Sequence, residues 1–210
     1  SLNAYLNEMA IVAISHGATI DKYIGDAIMA FFGDPETLGP QHDAIKSVTM
    51  ALSMQEKVKL LNHELNKIGV TRPFNIRCGI NSGICTVGNF GSENRLDYTA
   101  IGNQVNLASR LESAAGVGEV LISEETMLLT QEHFDFVPNQ EISVKGFTRP
   151  IKTYTVTGHK TKKDPSGNLS FHSKGLDLEI DPMVLSEDSK KIIMELIPQL
   201  QNILQQSTKN

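Results

Sequence analysis

The segment 96–113, LDYTAIGNQVNLASRLES, constrains the fold more than any other part of the chain. Leu96, Tyr98 and Ala100 alternate with Asp97, Thr99 and Ile101. That period of two predicts a strand. Gly102 breaks it, and Asn103 is placed to cap a helix that starts just after it. In that helix Leu107, Ala108, Leu111, Ala114 and Ala115 form an apolar stripe, so the helix must lie on a core. Asn106, Arg110 and Ser113 fall on a different stripe, at i, i+4 and i+7. An amide and a guanidinium therefore project from one polar face, a turn apart. Arginine keeps its charge and offers a planar fork of donors suited to phosphate, and asparagine adds a neutral donor and acceptor. The pair suits an anion with a sugar attached. The same spacing also describes the wet face of any amphipathic helix, and the pattern alone does not separate the two.

The remaining elements follow in order. Residues 2–16 read as a helix closed by Gly17. Strand-like runs 18–24 and 27–32 flank Gly25-Asp26, a hairpin signal with Lys22 on the approaching strand and Asp26 at the tip. A carboxylate at such a tip is ordinarily turn chemistry. After the loop 34–40, residues 41–68 predict a long helix. Strands follow at 76–81 and 84–87, then at 120–123, 134–137, 141–145 and 151–157, with a helix at 124–131. Gly83, Gly88 and Gly91 do not make a phosphate cradle. No GxxxxGK[ST] is present, no helix opens after them, and glycines in strands mark bulges or close backbone approach. Lys145, at a strand end before Gly146, has the pattern of a solvated surface lysine.

Composition changes at KTKKDPSGN, 160–168, which is charged and rich in breakers. We place the boundary there, giving a domain at 1–158 and an extension at 159–210. The extension shows alternation at 169–181, a turn at Lys174-Gly175, and an amphipathic helix at 186–206 capped by Ser186, with Pro198 expected to kink or interrupt it.

The chain has 210 residues and a net charge of −5, which argues against general nucleic-acid binding. A polyanionic ligand would need a local basic pocket or metal ions. No apolar run reaches the ~18 residues of a membrane span, and the first residues do not form a secretory signal. Cys78 and Cys85 read as reduced thiols of a cytoplasmic protein, and the six histidines form no pair at ligand spacing.

Three separated strings, IDKYIGDAIMAFFG at 20–33, DYTAIGNQVNLASRLE at 97–112 and VKGFTRPIKTY at 144–154, together resemble the catalytic domain of class III nucleotidyl cyclases, closest to bacterial adenylate cyclases. The resemblance covers residues 2–157. It implies an α/β fold of the α+β sandwich kind: a mostly antiparallel sheet flanked by helices, ferredoxin-like and similar to a polymerase palm. It implies conversion of ATP to cyclic AMP and pyrophosphate at a site shared by two subunits of a homodimer, with two Mg²⁺ or Mn²⁺ ions per site. By the same resemblance Asp26 holds metal, Lys22 and Thr99 read adenine, Asn106 and Arg110 are catalytic, and Lys145 binds the terminal phosphates.

Adenine offers N1 as acceptor and N6 as donor, which suits lysine and a threonine oxygen; guanine presents the reverse pattern. Guanylate cyclases carry Glu and typically Cys at these places. The family's other metal aspartate lies on a strand before everything here, in a pattern like FxDIxGF that these residues lack. The expectation is an incomplete catalytic domain, weak or inactive alone, whose parent has an upstream regulatory region and is cytoplasmic or membrane-tethered. A catalytically degenerate module that binds nucleotide or dimerises is the alternative.

Overall fold

A computed structural model describes residues 2–69, 73–92, 95–160, 169–173, 176–180 and 185–207. The chain divides into two compact units, Ser1–His159 and Lys160–Asn210. The first carries α1 (Leu2–Ser15), a hairpin of β1 (Thr19–Ile24) and β2 (Ala27–Phe31), and α2 (Pro40–Lys67). Then come β3 (Cys78–Ile80), a hairpin of β4 (Thr86–Ser92) and β5 (Arg95–Ile101), and α3 (Asn103–Ala114). It closes with β6 (Val120–Ser123), α4 (Glu124–Thr130), β7 (Phe134–Pro138) and β8 (Thr153–His159). The strands β3-β6-β8-β7 form one sheet, in which only β3 and β6 run parallel. The architecture is the mixed α+β, antiparallel-rich fold expected from the sequence.

Strand β6 explains the layering. All four of its residues, VLIS, are buried. A continuous apolar run marks a strand covered on both faces. Val120 and Ile122 meet Val48 and Ala51 of α2, together with Phe134 and Val156. Leu121 points the other way, into Leu107, Leu111 and Ala115 at α3. A third cluster joins Tyr5, Met9 and Ala13 of α1 to Met54 and Val58 of α2, with Ile20 and Ile28 of the β1–β2 hairpin packed on it. The β1–β2 hairpin is thereby fixed to the helices by Ile20 and Ile28.

Strand β3 lets α3 lie unusually close. A Cβ built on Gly79 would stand 2.0 Å from the Glu112 backbone nitrogen and 2.4 Å from the Ala108 carbonyl oxygen. Only glycine fits where helix and strand backbones meet at that distance. The sequence reading had no signal for this contact, because Gly79 sits in an ordinary alternating run.

Three local expectations are corrected. Asn103 does not cap α3. Gly102, at φ +143°, holds the N-cap position, and its carbonyl accepts from the N–H groups of Val105 and Asn106, so the helix begins one residue earlier. Residues 141–145 form no strand. Ile142 makes a single bridge to Ile151, while Val144 turns into the core beside α3. The strand expected at 84–87 begins at Thr86 and runs to Ser92, because all seven residues pair with β5. Gly88 and Gly91 lie within that paired ladder.

The second unit contains an antiparallel hairpin of β9 (Leu169–Ser173) and β10 (Leu176–Ile180), followed by α5 (Glu187–Ser207). The expected turn at Lys174-Gly175 lies outside the described residues. Ser186 caps α5 by accepting from the Ser189 N–H at 3.1 Å, and Pro198 lies inside the helix without interrupting it.

Candidate active site

The β1–β2 hairpin turns through Gly25 and Asp26, between the closing pair Ile24 and Ala27. Gly25 has φ +65°, the positive value that a glycine supplies at the first central position of such a turn. Asp26 follows, exposed at the tip, with no side-chain partner among the described residues.

Four residues earlier the ladder is irregular. Ile20 pairs with Ala30 and Lys22 with Met29, so Asp21 is an extra residue in β1, a β-bulge. A bulge re-aims the side chain it carries. Here it sends the Asp21 carboxylate toward β5, where that side chain is fully enclosed. The Thr99 hydroxyl donates to it at 2.7 and 2.9 Å from its two oxygens, the Ala100 N–H donates at 2.8 Å, and the Lys22 ammonium lies 3.2 Å away. A buried carboxylate is tolerated when its lone pairs are met in this way. Asp21 thus joins Lys22, half-exposed on β1, to Thr99, buried on β5. Two of the residues expected to read a base are held together by a third that the sequence reading missed. The available signal was an acid inside an otherwise apolar strand, directly before the lysine.

Nearby, Thr19 donates to the Asp34 carbonyl at 2.7 Å, and the Tyr98 hydroxyl donates to the Asp34 carboxylate. The second bond raises the Tyr98 pKa. Both bonds tie the loop after β2 to the strands that carry Asp21 and Thr99.

Asn106 and Arg110 lie on the exposed face of α3, opposite buried Leu107 and Leu111, as the helical spacing requires. Neither side chain has a partner among the described residues. Lys145 is exposed in the turn after Val144. A Cβ on Gly146 would lie 3.4 Å from the Asn103 side chain, so Lys145 sits at the N-terminal end of α3, where Asn106 also lies. The expected residues therefore fall into a pair on β1 and β5, Lys22 and Thr99, joined by Asp21; a polar set on α3 and at its N-terminal end; and Asp26 at a turn. Among the described residues no group of three or more His, Cys, Asp or Glu is arranged to hold a metal ion.

Residues 2–158 match the adenylate and guanylate cyclase catalytic domain. The chain belongs to that family. The adenylyl cyclase CyaB of P. aeruginosa is 50% identical, with a TM-score of 0.73 over 76% of this chain and 81% of that one. The guanylyl cyclase Cya2 is 34% identical, with a TM-score of 0.69 over 77% of this chain and 80% of that one. An adenylate cyclase of Anabaena cylindrica is 35% identical over 164 residues, 74% of this chain. The chain spans 24–31% of the length of the first curated adenylate cyclases that it matches. Relatives named for both nucleotides thus share the fold.

Proposed function

We propose that this chain is the catalytic domain of an adenylate cyclase, converting ATP to cyclic AMP and pyrophosphate. The observation that carries the reading is the Lys22–Asp21–Thr99 cluster, whose ammonium and hydroxyl oxygen match N1 and the N6 amino group of adenine. The names of the adenylate cyclase relatives support the same choice.

In the reaction the ribose 3′-oxygen bonds to the α-phosphorus as the bond to the pyrophosphate oxygen breaks, and the 3′ proton leaves to solvent. Asn106 orients the ribose. Arg110 stabilises charge that develops on the α-phosphate, the kind of aimed donor worth ~3–4 kcal/mol in a transition state. Lys145 binds the terminal phosphates from the end of α3. Asp26, an exposed carboxylate free of any ion pair among the described residues, fits one oxygen ligand of a Mg²⁺ or Mn²⁺ site. A divalent ion bound there with the substrate's phosphates would offset their charge and polarise the reacting phosphoryl group.

Base reading and phosphate chemistry lie on separate parts of the chain, and we propose that a second subunit completes each site. Tyr23 and Ile24 on β1, and Leu96 and Tyr98 on β5, are exposed large apolar residues on the two hairpins that carry the trio. Such residues suit a homodimer contact.

The test is cyclic AMP formation from ATP with Mg²⁺ or Mn²⁺, by the full-length protein and by residues 1–210, each beside its Asp26→Asn variant. Metal-dependent cyclic AMP that Asp26→Asn abolishes is the expected result. Nucleotide binding without product in every form would replace the enzyme with a binding module.

A further inference from the structure

We infer that Asp21 is a positioning residue that sets base specificity by fixing the direction of the Thr99 hydroxyl. The inference rests on the cyclase reading above and adds a residue to it.

A threonine hydroxyl is ambivalent, with one hydrogen to donate and two lone pairs to accept. Alone, it could accept from the adenine amino group or donate to the guanine O6. It therefore discriminates only if something holds its hydrogen. Ionised carboxylates accept and never donate. The Asp21 carboxylate, fully enclosed, takes the Thr99 hydrogen at 2.7 and 2.9 Å. The oxygen that remains toward a ligand is an acceptor, and it matches adenine.

The same carboxylate holds the Lys22 ammonium at 3.2 Å, which leaves that group two further hydrogens for a base. One buried charge thus fixes both polarities of the reader. The Ala100 N–H, at 2.8 Å, anchors the carboxylate itself to the backbone of β5. The bulge in β1 makes the arrangement possible, because Asp21 is the residue left out of the ladder with β2.

Replacing Asp21 by Asn would leave an acceptor in place, because the oxygen that takes the Ala100 N–H is also the one 2.7 Å from the Thr99 hydroxyl. Replacing it by Leu keeps the approximate shape and removes both oxygens. The hydroxyl hydrogen would be freed toward a ligand acceptor, and the ammonium would lose its anchor. A residue that only stapled β1 to β5 would, when changed, lower activity with both nucleotides alike. One that orients the reader would change their ratio.

The experiment measures kcat/KM for ATP and GTP with the full-length protein, its Asp21→Leu variant, Thr99→Val, and the double variant. The expected result is an ATP:GTP ratio about 10-fold or more lower in Asp21→Leu, in line with the discrimination that hydrogen-bonding sites achieve. In the Thr99→Val background, Asp21→Leu is expected to move the ratio by a smaller factor, the remainder coming through Lys22. An unchanged ratio in Asp21→Leu, or equal losses with both nucleotides, overturns the inference and leaves the cyclase reading standing. A wild-type protein that makes no cyclic nucleotide overturns both. Should Asp21→Leu fail to fold, Thr99→Val carries the test alone. It leaves Ala100 and Lys22 on the carboxylate, and a ratio equal to wild type would show that the oriented hydroxyl does not read the base.

Discussion

Gly79→Ala tests how the fold positions the chemistry. The added methyl carbon would lie 2.0 Å from the Glu112 nitrogen, 2.4 Å from the Ala108 oxygen and 2.7 Å from the Glu112 Cα. All three are backbone atoms of α3, so no side chain can swing aside. Ordinary contact begins at 3.4 Å. Helix and strand must therefore part by ~1.4 Å, the difference between 3.4 and 2.0 Å. Overpacking typically costs about 1–3 kcal/mol, and a clash between two backbones belongs at the top of that range. At roughly 2–4 °C per kcal/mol for a domain of this size, the melting temperature should fall by about 6–12 °C. The domain stays folded at 25 °C, since a typical stability is ~5–15 kcal/mol.

The functional effect should be larger than the loss of stability alone. Helix α3 carries Asn106 and Arg110, and a ~1 Å misplacement of reacting groups costs about 10²-fold. The assay is thermal unfolding together with the cyclic AMP rate of the same preparation at 25 °C. A variant that melts within about 1 °C of wild type with an unchanged rate would refute the argument that this glycine seats the helix.

Two further outcomes are expected. Arg110→Ala should lower kcat by about 10²–10³-fold with little change in KM, because the guanidinium is assigned to charge that appears only in the transition state; a change confined to KM would show that it merely binds substrate. Burial, helped by the nearby Glu112 charge, pushes the Cys78 thiol from 9.0 up to about 12. Its thiolate is therefore scarce in the folded protein at pH 8, and an alkylating reagent should modify this partly buried thiol far more slowly in the folded than in the unfolded protein. The unfolded state loses this proton first, so the stability associated with it is intact below pH 9 and declines as pH rises from 9 towards 12. Alkylation of Cys78 at pH 8 as fast in the native as in the unfolded protein, followed by peptide mass mapping, would contradict this placement.

The strand, turn and helix of 96–113, the hairpin at Gly25-Asp26 and the exposed face bearing Asn106 and Arg110 were legible because each depends on near neighbours in the chain. Period two, period 3.6 and the conformational freedom of glycine are local properties. The family resemblance was legible for the same reason, since each of its three strings is a short run of neighbouring residues. Local patterns failed where two elements compete for one segment. Asn103 looked like a cap until Gly102 took that position, and 141–145 alternated like a strand although Val144 is claimed by the core beside α3.

The role of Asp21 came only from tertiary structure. It depends on a bulge in β1 and on a bond to Thr99, 78 residues further along the chain. Gly79 is similar: its meaning appears only when α3 lies across β3. Sequence determines which elements form and which faces are apolar, because those follow from each residue's own geometry and its neighbours within a turn or two. Which hydroxyl meets which carboxylate is settled by packing between distant elements, and the direction in which Thr99 gives its hydrogen is decided there.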